Sequence, residues 1–186
     1  DKGSKQDIYS ACESGDIETV ATLCRATIGL DVNRSDVDGQ TPLMLAVMHG
    51  HAKVCSLLVQ EGARLDARSF EGQSNSGGSW TTMHHWESQR RCWTALHHAA
   101  RKGDQELLRA LLEGADPADL LGLTDSEGDT PMHVAVKAGN LEAVPMLIGA
   151  CPAWRSQRNA QERIPWDLAR TSEMCEVLTS EVPCET

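Results

Sequence analysis

The sequence predicts an all-α solenoid of about five helix–turn–helix units joined by finger-like loops. A short motif recurs four times along the 186 residues, at 38–46, 93–100, 127–135 and 163–169. A degenerate fifth copy precedes these at 8–16. A unit of about 33 residues cannot bury its own apolar face, so it is stable only when stacked on its neighbours.

Each copy of the motif has the residue types of a helix start. Thr41 and Thr130 are suited to capping a helix, and the prolines that follow them suit its first position, where the missing N–H costs nothing. A small residue then recurs where two helices must approach closely. These alanines lie at steps of 35, 53, 36 and 34 residues, at Ala11, Ala46, Ala99, Ala135 and Ala169.

A second helix is predicted in each unit. Glycines such as Gly50 and Gly103 suit the turn between two helices, because glycine adopts a positive φ easily. Leucine and valine runs at 54–58, 107–112 and 144–148 then point to the same core. Pro145 is expected to cost its helix one backbone hydrogen bond. The end units, 8–26 and 164–179, depart from the motif because each has one face in water, and the last helix is predicted at 173–179.

These residues resemble the ankyrin-repeat family, whose unit has a G-x-T-P-L-H-x-A-A core and ends in a leucine pair and Gly-Ala. The best match runs from 39 to 63, and the resemblance covers 7–179, with 1–6 as a linker and 180–186 as a tail. It implies a concave face, formed by the finger loops and the first helices, on which partners bind. It does not identify the partner, because the same scaffold binds unrelated proteins.

Composition narrows the class of protein. With one Phe and one Tyr, the core must be aliphatic and rich in alanine. The net charge of −10 argues against direct nucleic-acid binding. No apolar run approaches the roughly 18 residues of a membrane span, so no membrane insertion is predicted. The chain begins at Asp1 without a methionine and without a signal peptide, which we interpret as a domain of a longer protein.

The seven cysteines are predicted to be structural. Their odd number and irregular spacing favour a reducing, intracellular compartment, cytoplasmic or nuclear, over a disulfide framework. The repeat places four of them towards the core, where a free cysteine behaves as a small hydrophobe: Cys12, Cys24, Cys55 and Cys175.

The 53-residue step contains an insertion of about 20 residues, approximately 75–92, in the finger between the second and third units. Trp80 and Trp86 lie within it and Trp93 just after it. Aromatic residues on a loop either pack back onto the scaffold or anchor a partner. Both interpretations stay open, and a protein-docking element is the functional one that we favour.

The residues of the insertion suggest two other functions. Histidines and a cysteine could bind zinc, but the paired spacing of zinc ligands is missing and His97 belongs to the repeat motif, so no metal or cofactor is predicted; the residues concerned are His84, His85, Cys92, His97 and His98. Alternatively, tryptophans and one carboxylate could form a cage for methylated lysine, as in a histone-tail reader: Trp80, Trp86, Trp93 and Glu87.

The partner-binding site is predicted on the concave face of the second to fourth units. Helix-end positions become basic along the stack, which suits a protein or peptide with acidic or phosphorylated segments, although solvated charges would give the same pattern. The predicted site comprises Met48, His49, Phe70, Trp80, Trp86, Arg90, Arg91, Arg101, Lys102 and Lys137.

No catalytic residue is predicted. The chain has no phosphate-binding glycine loop, no nucleophile elbow and no metal-binding His-Glu helix. An alternative to a scaffold or adaptor is therefore a docking domain of a multidomain enzyme whose catalytic residues lie elsewhere.

Overall fold

The computed structural model describes residues 7–26, 30–36, 39–69, 92–113 and 115–179. These residues form ten α-helices and two 3-10 helices, and no strand occurs among them. The α-helices are α1 Ile8–Ser14, α2 Ile17–Ala26, α3 Pro42–His49, α4 Ala52–Gln60, α5 Ala95–Lys102, α6 Gln105–Leu112, α7 Pro117–Leu121, α8 Pro131–Ala138, α9 Ala143–Ala150 and α10 Ser172–Thr179. The 3-10 helices span Pro152–Arg155 and Pro165–Leu168. The all-α prediction is confirmed.

The helices form two layers. The first helices of successive units contact one another, α1 with α3, α3 with α5, and α5 with α8. The second helices contact in the same order, α2 with α4, α4 with α6, and α6 with α9. The 3-10 helix Pro165–Leu168 continues the first layer by packing on α8, and α10 continues the second by packing on α9. Each unit therefore buries its apolar face against the next one.

Threonine caps and glycine turns set the helix limits. The Thr41 hydroxyl accepts the Met44 N–H at 3.3 Å, with proline at the first helical position. At the other end of a first helix, Gly103 has φ of +72°, and a Cβ there would lie 2.7 Å from Asn140. The Asn140 amide occupies this space and donates to the carbonyls of Ala100 at 2.8 Å and Arg101 at 2.7 Å. These hydrogen bonds link the turn after α5, in the third unit, to the fourth unit.

The core is largely aliphatic and rich in alanine, as the composition predicted, with the fully buried Trp154 as an aromatic exception. Ala46, Ala99 and Ala135 are fully buried between the first helices. Cys12 and Cys55 are also fully buried, and burial raises the pKa of each thiol to about 12, so both remain protonated and unreactive at neutral pH. Among the described residues, no helix is long and apolar enough to cross a membrane.

Replacing Ala99 with leucine is expected to lower the free energy of unfolding by about 1–3 kcal/mol, because the added carbons overpack a close helix contact. Chemical denaturation measures the change. The same substitution at the exposed Ala138 is the matched control and should change stability by less than about 0.5 kcal/mol. Equal stability of the two variants would contradict the assigned repeat register.

Three features differ from the sequence-based expectation. The last unit begins with a 3-10 helix, and its second helix starts at Ser172. The short helix α7 had not been predicted. The expected penalty at Pro145 was wrong: α9 begins at Ala143, so Pro145 lies in the first turn, where backbone N–H groups have no partner within the helix.

Candidate binding groove

The fingers, each numbered here by the unit that it precedes, from the second to the fifth, close with a common turn. In three of them, the backbone N–H of the first residue donates to the carbonyl four residues later at 2.9–3.0 Å. The first side chain also accepts the N–H of the last residue, at 2.8–3.1 Å. The residue pairs are Asp36–Gln40, Asp125–Asp129 and Asn159–Arg163.

The third finger closes with the same backbone hydrogen bond across a much longer loop, and here the Ser69 hydroxyl donates to the Trp93 carbonyl at 3.4 Å. The Ser69 N–H donates to the Trp93 carbonyl at 3.2 Å, so the pair is 24 residues apart instead of 4, and the 20 additional residues lie between these ends. Most of the insertion lies outside the described residues. Five residues of the predicted binding site, four in the insertion and one shortly before it, lie outside the described residues, so their role in binding stays a prediction: Phe70, Trp80, Trp86, Arg90 and Arg91.

Trp93 joins the third finger to the fourth. It is 3% exposed, and its indole N–H donates to the Asp125 carboxylate at 3.1 Å. The Arg101 guanidinium lies over the ring, 5.5 Å from its centroid. Burial raises the pKa of Asp125, although the hydrogen bonds that its carboxylate accepts oppose this shift. Trp93 is therefore held inside the stack, with one ring face covered, and is poorly placed to form a wall of a methyl-lysine cage.

Trp93→Phe is expected to lower the free energy of unfolding by about 1–3 kcal/mol, because the buried Asp125 carboxylate loses a donor. Thermal or chemical denaturation at pH 7 measures the loss. Trp166→Phe removes an indole N–H from a side chain that is 48% exposed and serves as control. A Trp93→Phe protein as stable as this control would show that the bond contributes nothing.

Asp129 connects the fourth finger to the fifth and to α8. Its fully buried carboxylate accepts hydrogen bonds from the Asn159 amide at 2.8 Å and from the Lys137 ammonium. Glu127 lies 3.9 Å from the same ammonium. Burial alone would raise the pKa of Asp129, but the bonds from Lys137 and Asn159 outweigh it and hold the pKa below its ordinary value. The charge of Lys137 is thus largely engaged inside the protein.

Two buried histidines connect successive units. The Thr94 N–H donates to His97 Nδ1 at 3.2 Å, which leaves the proton on Nε2, 3.0 Å from the Asp129 carbonyl. His133 repeats this arrangement with the Thr130 N–H at 3.1 Å and the Arg163 carbonyl at 3.0 Å. Both ring nitrogens of each histidine are therefore occupied. No group of three or more possible metal ligands occurs among the described residues.

A hollow of about 950 Å³, here called the groove, lies between the fingers and the first-helix layer of the third to fifth units. Its lining includes the apolar side chains of Val134, Ala138 and Leu168. The charged side chains that line it are Arg101, Lys137, Arg163, Arg170, Glu127 and Asp167. The groove is therefore lined by both apolar and charged side chains.

The structure separates the described members of the predicted site into two groups. Arg101 and Lys137 line the groove. Met48, His49 and Lys102 lie at helix ends outside its lining, where the Lys102 ammonium donates to the Met48 carbonyl at 3.2 Å and the His49 ring stacks on His51.

Sequence reasoning missed Arg163 and Arg170, which also line the groove. Both are exposed. Arg163 begins the last copy of the motif and Arg170 follows it, so the repeat register could have placed them beside the concave face.

Comparison with known proteins agrees with this architecture. The family model for ankyrin repeats (3 copies) matches residues 5–69 and 76–155. A 60 kDa lysophospholipase of Mus musculus is 33% identical over 153 residues, covering 74% of this chain and 26% of that protein. Tyrosine-protein kinase HTK16 of Hydra vulgaris is 28% identical over 140 residues, with 74% and 15% covered.

The nuclear factor NF-kappa-B p105 subunit of Gallus gallus is 28% identical over 130 residues, covering 70% of this chain and 11% of that protein. The chain therefore spans between about a tenth and a quarter of these relatives. Repeat spacing, stacking and the family match lead to one conclusion: the chain belongs to the ankyrin-repeat family, whose repeats generally mediate protein–protein interaction.

Proposed function

We propose that this region is a non-enzymatic interaction module, an adaptor, scaffold or regulatory arm of a larger intracellular protein. It binds a protein or peptide segment, acidic or phosphorylated, on the concave face and the insertion. The groove carries this proposal, because its lining combines apolar side chains with four basic and two acidic ones in a chain of net charge −10.

The buried polar groups favour binding over catalysis. Asp125 and Asp129 accept hydrogen bonds from neighbouring fingers, and His97 and His133 use both ring nitrogens within the stack. A general acid or base must reach a proton on the substrate. These four groups instead hold adjacent units together.

A second candidate is a docking domain of a multidomain enzyme. Two relatives are named as a tyrosine-protein kinase and a lysophospholipase, and the match covers 15% and 26% of their lengths. Enzymatic activity in the full-length protein that is absent from residues 1–186 would support this candidate. Activity in residues 1–186 alone would contradict both candidates. The histone-tail reader receives less support, because Trp93 is already engaged by Asp125 and Arg101.

Site-specific photo-crosslinking tests the binding face. A photoreactive residue at Ala138, which is exposed in the groove, is expected to crosslink a partner in cell extract. The same residue at Glu106, exposed on α6 in the second-helix layer, is the control and should not. Deleting 75–92 should weaken the crosslink if the insertion contributes. Crosslinking from Glu106 but not from Ala138 would place the interface on the opposite face.

A further inference from the structure

Guanidinium groups make up most of the positive charge that lines the groove. Lys137 is held by the buried Asp129 carboxylate. Of the two acidic side chains in the lining, Glu127 lies 3.9 Å from the Lys137 ammonium, and the Asp167 carboxylate accepts the Ile164 N–H at 3.0 Å. Three arginines complete the basic lining: Arg101, Arg163 and Arg170. Arginine binds carboxylates through two parallel hydrogen bonds and retains its charge at any physiological pH.

The arginines stand at the two ends of the groove. Arg101 is in the last turn of α5, whereas Arg170 follows the 3-10 helix Pro165–Leu168. Since α5 packs on α8 and α8 on that 3-10 helix, the two residues are two repeat units apart along the first-helix layer. Packed helices lie about 8–10 Å apart, so the separation of the two backbones is about 20 Å. An extended chain covers this distance in about six residues.

Arg101 is oriented before any partner arrives. Its guanidinium lies over the Trp93 ring, and the Trp93 indole N–H is fixed by Asp125 of the next finger. At the other end, the Arg163 guanidinium donates to the Gln161 side chain. Side chains that are already restrained lose less conformational entropy on binding.

We propose that the groove binds an extended acidic segment of a partner protein, with carboxylates about six residues apart. One carboxylate pairs with Arg101, the other with Arg163 and Arg170, and the intervening residues lie over Val134 and Leu168. This inference rests on the proposed function and deepens it by stating the chemistry and spacing of the partner.

Fluorescence anisotropy with three labelled octapeptides tests the proposal. The split peptide has two glutamates at each end of a four-residue Ser-Gly spacer. The clustered peptide has the same composition, with its four glutamates adjacent. In the third, glutamine replaces glutamate. The split peptide is expected to bind at least about threefold more tightly than the clustered one, and the glutamine peptide at least about tenfold more weakly than the split one.

Charge-reversal variants assign the binding to the groove. Arg163→Glu combined with Arg170→Glu is expected to weaken binding of the split peptide at least about tenfold. Arg25→Glu combined with Arg109→Glu makes the same change of net charge at exposed positions of α2 and α6 and should retain binding. Circular dichroism establishes that both proteins are folded.

Three outcomes would overturn the inference: equal affinity for the split and clustered peptides, no binding of either, or equal losses in the two double variants. If any of these occurs while a partner still crosslinks at Ala138, the proposed function stands and only the acidic chemistry or its spacing is wrong. If the Ala138 crosslink is also absent, the concave face itself is not the binding surface.

Discussion

Lys137→Met is expected to lower the free energy of unfolding by about 2–4 kcal/mol at pH 7. The substitution keeps the length of the side chain but leaves the fully buried Asp129 carboxylate without its cation. Removing one partner of a buried ion pair costs about 3–5 kcal/mol, and the value here is lower because Lys137 is 28% exposed and Asn159 still donates. Urea denaturation monitored by circular dichroism measures the change.

A second substitution separates the ion pair from simple packing. Lys137→Met combined with Asp129→Asn removes the buried charge, so this double variant should be more stable than Lys137→Met alone. Lys53→Met, at an exposed position of α4, controls for the loss of a surface lysine and should change stability by less than about 0.5 kcal/mol. If Lys137→Met and Lys53→Met are equally stable, Asp129 does not depend on its cation.

Acidification is expected to destabilise the stack through its buried histidines. Burial lowers the pKa of His97 from 6.5 to about 4, so between these values the unfolded chain holds a proton that the folded chain does not. The stabilising contribution of the neutral, buried His97 side chain is fully present above pH 6.5 and declines as the pH falls towards 4. Between pH 7 and 4.5, the loss from His97 alone is about 2–3 kcal/mol. Burial also lowers the pKa of His133, which adds in the same direction.

His97→Gln tests this dependence. Glutamine can still accept the Thr94 N–H in the capping box, but it does not titrate and cannot replace the bond to the Asp129 carbonyl. The variant should be less stable at pH 7 and should lose less stability than wild type on acidification to pH 4.5. His49→Gln, at an exposed histidine, is the control. An identical decline in wild type and His97→Gln would show that other groups cause it.

Much of the fold was predictable because its rules are local. The Thr-Pro starts, the glycine turns and the alanines at 34–36-residue intervals recur within short segments, and each has a physical role that does not depend on distant residues. The insertion was detectable as a break in this interval. Arg101 and Lys137 were found in the same way, since the register alone places them at helix ends facing the fingers.

Contacts between units were not predictable from spacing. Trp93 was grouped with the tryptophans of the insertion because they are close in sequence, yet its hydrogen-bond partner, Asp125, lies 32 residues away in the next finger. The ion pair of Lys137 depends on the side chain of Asp129 turning towards α8, a choice that competes with solvent exposure and that no motif encodes. Helix α7 lies in a joining segment, where the repeat imposes no pattern.

The hydrogen bond between Ser69 and Trp93 allows the third finger to change in length without moving the helices of the stack. Because both ends of this loop are fixed by the same hydrogen bond that closes a short finger, its length can change at little cost: each doubling adds only about 0.6 kcal/mol of closure free energy. This position can therefore accept new sequence, or an entire folded domain, while the helices on either side keep their places. Evolution and protein engineering alike could diversify the molecule here.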